Sequence, residues 1–358
     1  MYYLKQKNYD KFKCIAGDCP ENCCSFWQII TDDESLARYE KMAEDDIRIK
    51  EALNVKEKCL RQTNGSCNFL EPDGYCYLQR TYGESALCDT CRIYPRHVEE
   101  FENIREYTLT LSCPEAARML LTDFAPMDFD QSEDDQEEEF EDFDYILYDK
   151  LAEARNKIRS CVQDRNTDIC KRLDAILAFG KELQGKLDDD DVFGMDDVGI
   201  SPAKEYHEIA PETFEPVLEY ERLKYISSVM FRLEPLHDDW ADILDSLWDN
   251  VFSYEGEMEK VRAVIERNTV PAEQILMFFI YTYFCGAVYD GWIYSKIAMA
   301  VYSTIWIFCM HYSQIGKDGV TEEYETDSLI KAAWSYARET EHSDINLDLL
   351  EEWFMDNM

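Results

Sequence analysis

Glycine and histidine are scarce in this sequence, whose 358 residues include 13 Gly and 5 His. The two common glycine-rich loops that bind nucleotide phosphates, Gly-x-Gly-x-x-Gly and the Walker A motif, are both absent. His-Glu-x-x-His and Gly-x-Ser-x-Gly do not occur either, and the histidines are scattered along the chain. These absences argue against a nucleotide-binding protein of the common type, a zinc peptidase and a serine hydrolase.

Basic side chains are also few, with 36 Lys and Arg against 75 Asp and Glu, a formal net charge of −39. Nucleic acid and anionic membrane surfaces both bind a basic face, so neither is expected as a partner. The hydrophobic content of 46% excludes a chain that is disordered throughout. The N-terminal segment 1–5 has no apolar stretch typical of a secretory signal, so we expect a cytoplasmic protein with reduced thiols.

Cysteine is abundant, and ten of the 14 cysteines lie within the first 113 residues. The negative charge lies elsewhere, because residues 1–125 carry 16 basic and 22 acidic side chains, a net of −6, and the remaining residues carry −33. Segment 128–144 holds eleven carboxylates and no cation, which is typical of a solvated linker. We therefore expect a cysteine-rich metal-binding domain at 1–125, an acidic linker at 126–144, and a helical domain at 145–358 with an acidic loop at 186–203.

The two domains differ in their secondary-structure patterns. The first predicts short irregular elements. These are a strand at 26–30, a helix from a capping box at 31–34 to about residue 53, a hairpin between Cys67 and Cys76, and a strand that ends at Cys113. Beyond the linker, apolar residues recur at helical spacing. Helices are expected within 145–158, 173–177, 214–233, 237–254, 256–267, 272–288, 293–315, 326–340 and 346–356. The predicted class is mostly α.

Two apolar segments, Ile275–Val288 and Ile297–Tyr312, raise the question of membrane spans. Each is shorter than the ~20 residues that a span requires. Asp290 and Lys296 also interrupt the stretch between them. We expect two buried core helices and no membrane insertion.

Eight cysteines are the strongest chemical signal. Cys88-x-x-Cys91 places two thiolates on one tight turn, the recurring unit of zinc and iron–sulfur sites. Cys19-Pro-Glu and Cys113-Pro-Glu repeat one tripeptide, and proline suits the first position of a helix. Each of these two cysteines is therefore expected at a helix N-cap, where the helix dipole favours a thiolate. The candidate metal ligands are Cys19, Cys23, Cys24, Cys67, Cys76, Cys88, Cys91 and Cys113.

The residues alone leave the metal open. An all-cysteine set suits a tetrahedral zinc site or a [4Fe–4S] cluster, and eight thiols allow one centre or two. Arg92 and Arg96, which follow Cys91, can offset the charge of an anionic cluster. Cys14 and Cys59 are uncertain additions. Four cysteines on apolar helical faces are expected to be ordinary core residues, namely Cys161, Cys170, Cys285 and Cys309.

Four segments carry a specific combination of motifs: Cys19–Trp27 (CPENCCSFW), Cys67–Cys76 (CNFLEPDGYC), Cys88–Arg96 (CDTCRIYPR) and Leu111–Glu115 (LSCPE). Together they resemble the bacterial flagellin lysine-N-methylase family. The cysteine-rich part is also similar to small eight-cysteine proteins thought to chelate zinc or iron. The resemblance covers about residues 14–118, and the rest of the chain is connected to the family only by its length and helical character.

The resemblance implies transfer of a methyl group from S-adenosylmethionine to lysine ε-amines of flagellin, by a protein that holds an iron–sulfur cluster through these cysteines. Methyl transfer needs a neutral amine, so the site must lower the lysine pKa or supply a base, and no base is identified. Tyr94 and Arg96 are expected at the cofactor site, because a guanidinium can bind a carboxylate through two hydrogen bonds. The aromatic residues that could contact a sulfonium or a methylated ammonium, although each also suits an ordinary core, are Trp27, Tyr94, Trp292, Tyr294 and Trp306.

Two other hypotheses fit the same residues. One is a non-enzymatic iron–sulfur or zinc-binding protein with a helical interaction domain. The other is a zinc-stapled adaptor whose acidic body binds basic partners. Neither hypothesis requires S-adenosylmethionine, so only a methylase is expected to bind this donor.

Cys88→Ser or Cys91→Ser is expected to strip bound metal and to destabilise the cysteine-rich domain, because metal binding and folding are coupled in small loop-rich domains. Metal content per chain and thermal unfolding of the purified protein measure both effects. Cys285→Ser is the matched control and should leave metal content unchanged. Equal metal loss in both kinds of variant would contradict the ligand assignment.

Overall fold

The computed structural model describes residues 1–140, 143–201, 216–315 and 322–357. Short helices and strands form the cysteine-rich part, and longer helices form most of the described chain beyond it, so the predicted mostly-α class is confirmed. The strands are β1 (Tyr2–Gln6), β2 (Leu53–Asn54), β3 (Cys59–Leu60), β4 (Gln62–Thr63), β5 (Ser66–Cys67), β6 (Arg96–Phe101), β7 (Ile104–Leu109) and β8 (Phe129–Glu133). The helices are α1 (Asp33–Met42), α2 (Ile47–Ala52), α3 (Tyr77–Tyr82), α4 (Asp89–Ile93), α5 (Pro114–Leu121), α6 (Tyr145–Val162), α7 (Ile169–Asp188), α8 (Tyr220–Ser227), α9 (Trp240–Asn250), α10 (Glu257–Arg267), α11 (Thr269–Tyr283), α12 (Ala287–Asp290), α13 (Ile293–Ile315), α14 (Glu322–Glu341) and α15 (Asp344–Asn357).

A four-stranded sheet has the order β6-β7-β1-β8. Strand β1 runs parallel to β7 and antiparallel to β8, so Tyr2 lies opposite both Ile104 and Glu133. Strand β8 comes from the acidic segment 126–144, of which residues 141 and 142 lie outside the described residues. Four of its five side chains are exposed while Phe129 is buried, which is how a charged edge strand is built. Part of the segment expected to be a linker therefore completes the sheet.

Several short elements of the cysteine-rich part differ from the expectation. No regular strand forms at 26–30, where Phe26 has a φ of +67° that turns the chain. The helix that begins after Asp32 ends at Met42, and α2 begins separately with the Asp46 side chain as its cap. The expected hairpin between Cys67 and Cys76 is a tight turn closed by one bridge, between Leu70 and Cys76.

The helical part follows the predicted pattern closely, with three differences. The expected helix at 272–288 is α11, which ends at Tyr283, followed by a 3-10 helix at Phe284–Gly286 and by α12. The expected helix at 214–233 is α8 followed by a 3-10 helix at Ser228–Arg232, and residues 214 and 215 lie outside the described residues. The expected loop at 186–203 begins within α7 and includes a 3-10 helix at Val192–Asp197, while residues 202 and 203 lie outside the described part of the chain.

Helix α13 is the central element of the helical part and packs against α7, α11, α14 and α15. It has 23 residues, so the expectation that its apolar segment is too short to span a membrane was wrong. Among the described residues it is the one helix long and apolar enough to cross a bilayer, but 94% of its most apolar window is buried inside the protein. The structure therefore places it as a buried core helix, the role that its pattern predicted.

One hydrophobic core runs from the sheet and α5 through the helical part, so the two halves pack directly on each other. A buried ion pair reinforces this junction: Arg155 of α6 donates from Nη1 to Glu106 Oε2 of β7 at 2.5 Å, and its Nη2 donates to the other oxygen. Both side chains are at most 5% exposed. A smaller core beneath the cysteine loops contains Ile29, Tyr39 and Leu78.

Arg155→Met is expected to lower the free energy of unfolding by about 3–5 kcal/mol, because it leaves the Glu106 carboxylate buried without its partner. Lys186→Met is the matched control, since it breaks the more exposed pair with Asp191 and should lower the free energy of unfolding far less. Urea unfolding of the two variants measures the difference. Similar losses in both would show that the Glu106–Arg155 pair does not hold the sheet to α6.

Candidate functional site

One cavity of about 410 Å³ brings most of the predicted metal ligands together. Six of the eight line it directly: Cys19, Cys23, Cys24, Cys76, Cys91 and Cys113. The other two, Cys67 and Cys88, are buried in the small core, against which Cys24, Cys76 and Cys91 pack. Cys14, an uncertain addition from the sequence, also lines the cavity. Cys59 lies in β3, paired with β2, and is not part of the cavity wall.

Three of these cysteines lie at the start of a helix, which fixes the position of each side chain. Cys113 is the N-cap of α5 with Pro114 at the first helical position, as the Cys-Pro-Glu motif predicted. Cys76 and Cys88 are the N-caps of α3 and α4, which the sequence analysis did not predict. The expectation for Cys19 was wrong: it ends a 3-10 helix at Ala16–Asp18, and residues 20–24 form bends and turns.

In each of two pairs of cysteines, Cys88 with Cys91 and Cys23 with Cys24, the two thiols are hydrogen bonded to each other. A hydrogen bond from the Cys91 thiol lowers the pKa of Cys88 to about 7, and the same contact raises the pKa of Cys91. The Cys23–Cys24 pair shows the same pattern, since their contact lowers the pKa of Cys23 and raises that of Cys24. Burial raises the pKa of Cys67 and of Cys113 to about 12. Each pair therefore supplies one sulfur that ionises readily, as metal binding requires.

The spacing of the sulfurs bears on the kind of metal. Four thiolates around one zinc ion lie about 2.3 Å from it and so about 3.8 Å from each other. Within the described part of the chain, no three of the N-terminal cysteine sulfurs all lie within 4.8 Å of one another. The thiols instead surround a cavity. This donor set fits a larger thiolate-bound centre better than it fits a closed site for one ion.

A second group of ligand-type atoms lies outside the cavity. Asp168, Cys170 and Glu266 have ligand atoms within 4.8 Å of one another. However, Arg262 Nη1 lies 4.0 Å from the Asp168 carboxylate and 3.9 Å from that of Glu266. Because a cation already faces both carboxylates, we assign no metal there. Cys161, Cys285 and Cys309 are likewise buried in the helical core, as expected.

Tyr94 and Arg96, the expected cofactor-binding residues, both line the cavity. The Tyr94 hydroxyl lies 3.3 Å from Ser112 Oγ, and burial raises the pKa of Tyr94 well above its usual value. The Arg96 guanidinium lies over the rings of Tyr9 and Phe12, 5.6 and 5.5 Å from their centroids.

Of the aromatic residues singled out in the sequence, only Trp27 and Tyr94 line the cavity. The Trp27 indole N–H donates to Cys23 O at 2.6 Å, and its ring lies 5.6 Å from that of Tyr94. Trp306 is fully buried in the helical core, where its N–H donates to Ser227 Oγ. Trp292 and Tyr294, at the start of α13, are not part of the cavity wall.

The last turn of α14 and the residue after it bring three residues to the cysteine loops that the sequence analysis missed. Arg338 lines the cavity and is fully buried. The Glu341 carboxylate accepts a hydrogen bond from Ser112 N at 3.0 Å, and burial raises its pKa to about 7. The His342 ring stacks on Trp27 at 5.0 Å, both of its nitrogens lack a hydrogen-bond partner, and burial lowers its pKa to about 3. The only available signal was the charged run RETEH at 338–342, which directly follows the largely apolar stretch 332–337.

Comparison with known proteins gives two kinds of match. The family described as the FliB lysine N-methylase C-terminal domain matches residues 155–358, more than half of the chain. The flagellar biosynthetic protein FliU of Salmonella muenchen is 30% identical over 124 residues, 31% of this chain and 72% of that protein.

Two lysine-N-methylases are similar over comparable lengths. That of Salmonella typhimurium is 29% identical over 125 residues, 32% of this chain and 31% of the enzyme. That of Salmonella choleraesuis is 29% identical over 124 residues, 31% of this chain and 30% of the enzyme. The match thus spans about three tenths of the length of these two enzymes. No solved structure matches the chain.

Glu341 is expected to make the folded protein less stable as the pH rises through the range from about 4.5 to 7. The folded state keeps a proton that the unfolded chain has lost, so the free energy of unfolding should fall by at most about 3 kcal/mol across this window. Glu341→Gln should remove this part of the slope, and Glu352→Gln, at an exposed position of α15, should not. Urea unfolding at pH 5 and pH 8 compares the three proteins; identical slopes would contradict the prediction.

Proposed function

Because the chain belongs to the FliB lysine N-methylase family, we propose that it transfers methyl groups from S-adenosylmethionine to lysine ε-amines of flagellin and holds an iron–sulfur cluster through its N-terminal cysteines. The family itself supports a methylase-like role. The name of one relative, a flagellar biosynthetic protein, supports the choice of flagellin as substrate. The cytoplasm is the proposed location, since it keeps such thiols reduced.

The observation that carries this proposal is the shared cavity. Thiols, three aromatic rings and three arginines from separate segments of the chain meet in one space of about 410 Å³. A methylase needs a place where a cationic donor and an amine can meet away from bulk water, and aromatic faces suit both groups. Three other cavities formed by described residues have no cysteine in their walls.

The proposed cluster ligands come from the eight cysteines already named. Their sulfurs surround a cavity and do not form one tight group, an arrangement that supports the choice of a multi-iron centre over a single closed zinc site. When bound, an iron–sulfur cluster would supply an anionic, redox-active group. Buried Arg338 and exposed Arg92 line the same cavity and would offset part of that negative charge.

The methyl donor would be held by residues of the Tyr94-Pro95-Arg96 segment. Arg96 can bind the carboxylate of the methionine moiety through two hydrogen bonds. Trp27 and Tyr94 present aromatic faces, which attract a sulfonium by cation–π contact. Such a site needs no glycine-rich loop, which agrees with the scarcity of glycine in the chain.

The acceptor lysine must lose a proton before its nitrogen attacks the methyl carbon. The new N–C bond then forms as the S–C bond of the donor breaks. Apolar ring faces and exclusion of water disfavour the ammonium and so lower the pKa of the lysine. The Glu84 carboxylate also lines the cavity and is the candidate proton acceptor, since both oxygens of Glu115, another carboxylate there, accept hydrogen bonds from Arg118.

The test is methyl transfer by the full chain purified without oxygen. We expect labelled S-adenosylmethionine to methylate lysines of flagellin, as shown by peptide mass spectrometry. Arg96→Met should raise the KM for S-adenosylmethionine at least about 10-fold with little change in kcat, because it removes a charge-assisted contact to the carboxylate. Arg48→Met is the matched control, since Arg48 also lies over a tyrosine ring, that of Tyr77, but not at the cavity.

Failure of the wild-type chain to bind the donor or to label lysine would overturn the proposal. Iron and sulfide analysis and a visible spectrum would then decide between the two non-enzymatic hypotheses. A coloured, iron-containing protein without transfer activity would be a non-enzymatic metal-binding protein. A colourless protein with bound zinc would be a zinc-stapled adaptor.

A further inference from the structure

We propose that Arg338 is a positioning residue for the metal centre, an inference that rests on the proposed metal-binding role of the cavity. Arg338 belongs to α14, more than 200 positions after the last of the candidate ligands, Cys113. Its side chain is fully buried and reaches the cavity wall from the helical part. The proposal follows from which backbone groups it contacts.

Arg338 contacts both chain segments that carry ligands on this side of the cavity. Its Nη2 donates to Glu21 O at 2.7 Å and its Nη1 to Asn22 O at 3.5 Å, within the loop between Cys19 and Cys23. Its Nε donates to Ser112 O at 3.0 Å, directly before Cys113. One rigid, planar group therefore sets the distance between these two segments.

Both main-chain polar groups of Ser112, its carbonyl and its N–H, are hydrogen bonded to the same turn of α14. Its carbonyl accepts from Arg338 Nε, and its N–H donates to Glu341 Oε2 at 3.0 Å. The start of α5, where Cys113 is the N-cap, is thus attached to the helical part and not only to its own domain. Movement of α14 would move Cys113 relative to the other ligands.

The charge of Arg338 is only partly matched by protein carboxylates. Its Nη1 lies 3.5 Å from Glu21 Oε1, and Glu21 is itself 29% exposed. The guanidinium also lies over the Trp334 ring, 5.4 Å from the centroid. Most of its hydrogen bonds go to neutral carbonyls, and burying a charge without a full counter-charge is costly. An anionic thiolate-bound centre in the adjacent cavity would supply the missing negative charge.

The experiment measures metal binding directly, with Zn²⁺ as a reversible probe for thiolates and a chelator of known strength as competitor. Arg338→Met keeps the length and apolar stem of the side chain and removes its donors and charge. We expect its Zn²⁺ affinity to fall about 10- to 100-fold, the usual effect of losing a group that orients metal ligands. Lys331→Met, on an exposed face of the same helix, should bind like wild type.

Arg338→Lys separates positioning from general stability. It keeps the charge, but its single nitrogen cannot replace three separate donors on a planar fork. We expect Zn²⁺ affinity between those of wild type and Arg338→Met. In the iron-loaded protein, the reduction potential should become more negative in Arg338→Met and stay closer to wild type in Arg338→Lys, since only the former removes a positive charge beside the cluster.

The outcomes distinguish this inference from the proposed function. If wild type binds neither zinc nor iron, the metal centre and the role of Arg338 are both overturned. If wild type binds metal and a folded Arg338→Met binds it equally well, only the role of Arg338 is overturned. Should Arg338→Met fail to fold by circular dichroism, Arg338→Lys decides: wild-type affinity in that variant would refute positioning by the guanidinium.

Discussion

The contact between the last turn of α14 and the backbone around the cysteines joins the two halves of this protein where its chemistry is concentrated. A buried guanidinium requires hydrogen-bond acceptors, and the loop after Cys19 and the residue before Cys113 supply them. Because these acceptors are main-chain carbonyls, the contact constrains the path of the chain and not only side-chain rotamers. The shape of the thiol-lined cavity consequently depends on the helical part as well as on the cysteine motifs.

The cysteine-rich part is weakly supported by its own packing. Its separate hydrophobic core is small and includes the buried cysteines Cys67 and Cys88. Strands β2 to β5 have two residues each, and α3 and α4 have six and five. Such a part gains stability from whatever cross-links its loops, whether a bound metal, the contacts with α14, or the sheet that β1 and β8 complete. The same residues thus serve both folding and the proposed site.

The large negative charge has a structural use that the composition alone does not reveal. Acidic side chains accept hydrogen bonds from backbone N–H groups in the first turn of several helices, where the helix dipole also favours negative charge. Those that cap helices in this way are Asp32, Asp46, Asp144, Asp168, Asp191 and Glu219. Others cover the exposed edge of the sheet in β8. The acidity of the chain is therefore partly a feature of helix starts and sheet edges, and it does not by itself indicate a basic partner.

The sequence by itself determined the helical class and singled out six of the cysteines that line the cavity. These follow from patterns within about ten residues, such as the spacing of apolar positions and the Cys-x-x-Cys turn, which local backbone geometry controls. It also predicted the N-cap position of Cys113, and it named Tyr94 and Arg96, which line the cavity, as candidates for the cofactor site. It did not determine that β1 pairs with β7, that an acidic segment forms β8, or that Arg338, Glu341 and His342 reach the cysteine loops. Those contacts join residues between about 100 and 320 positions apart. Only the packing of the whole chain, in which α14 and the sheet share one core, brings them together.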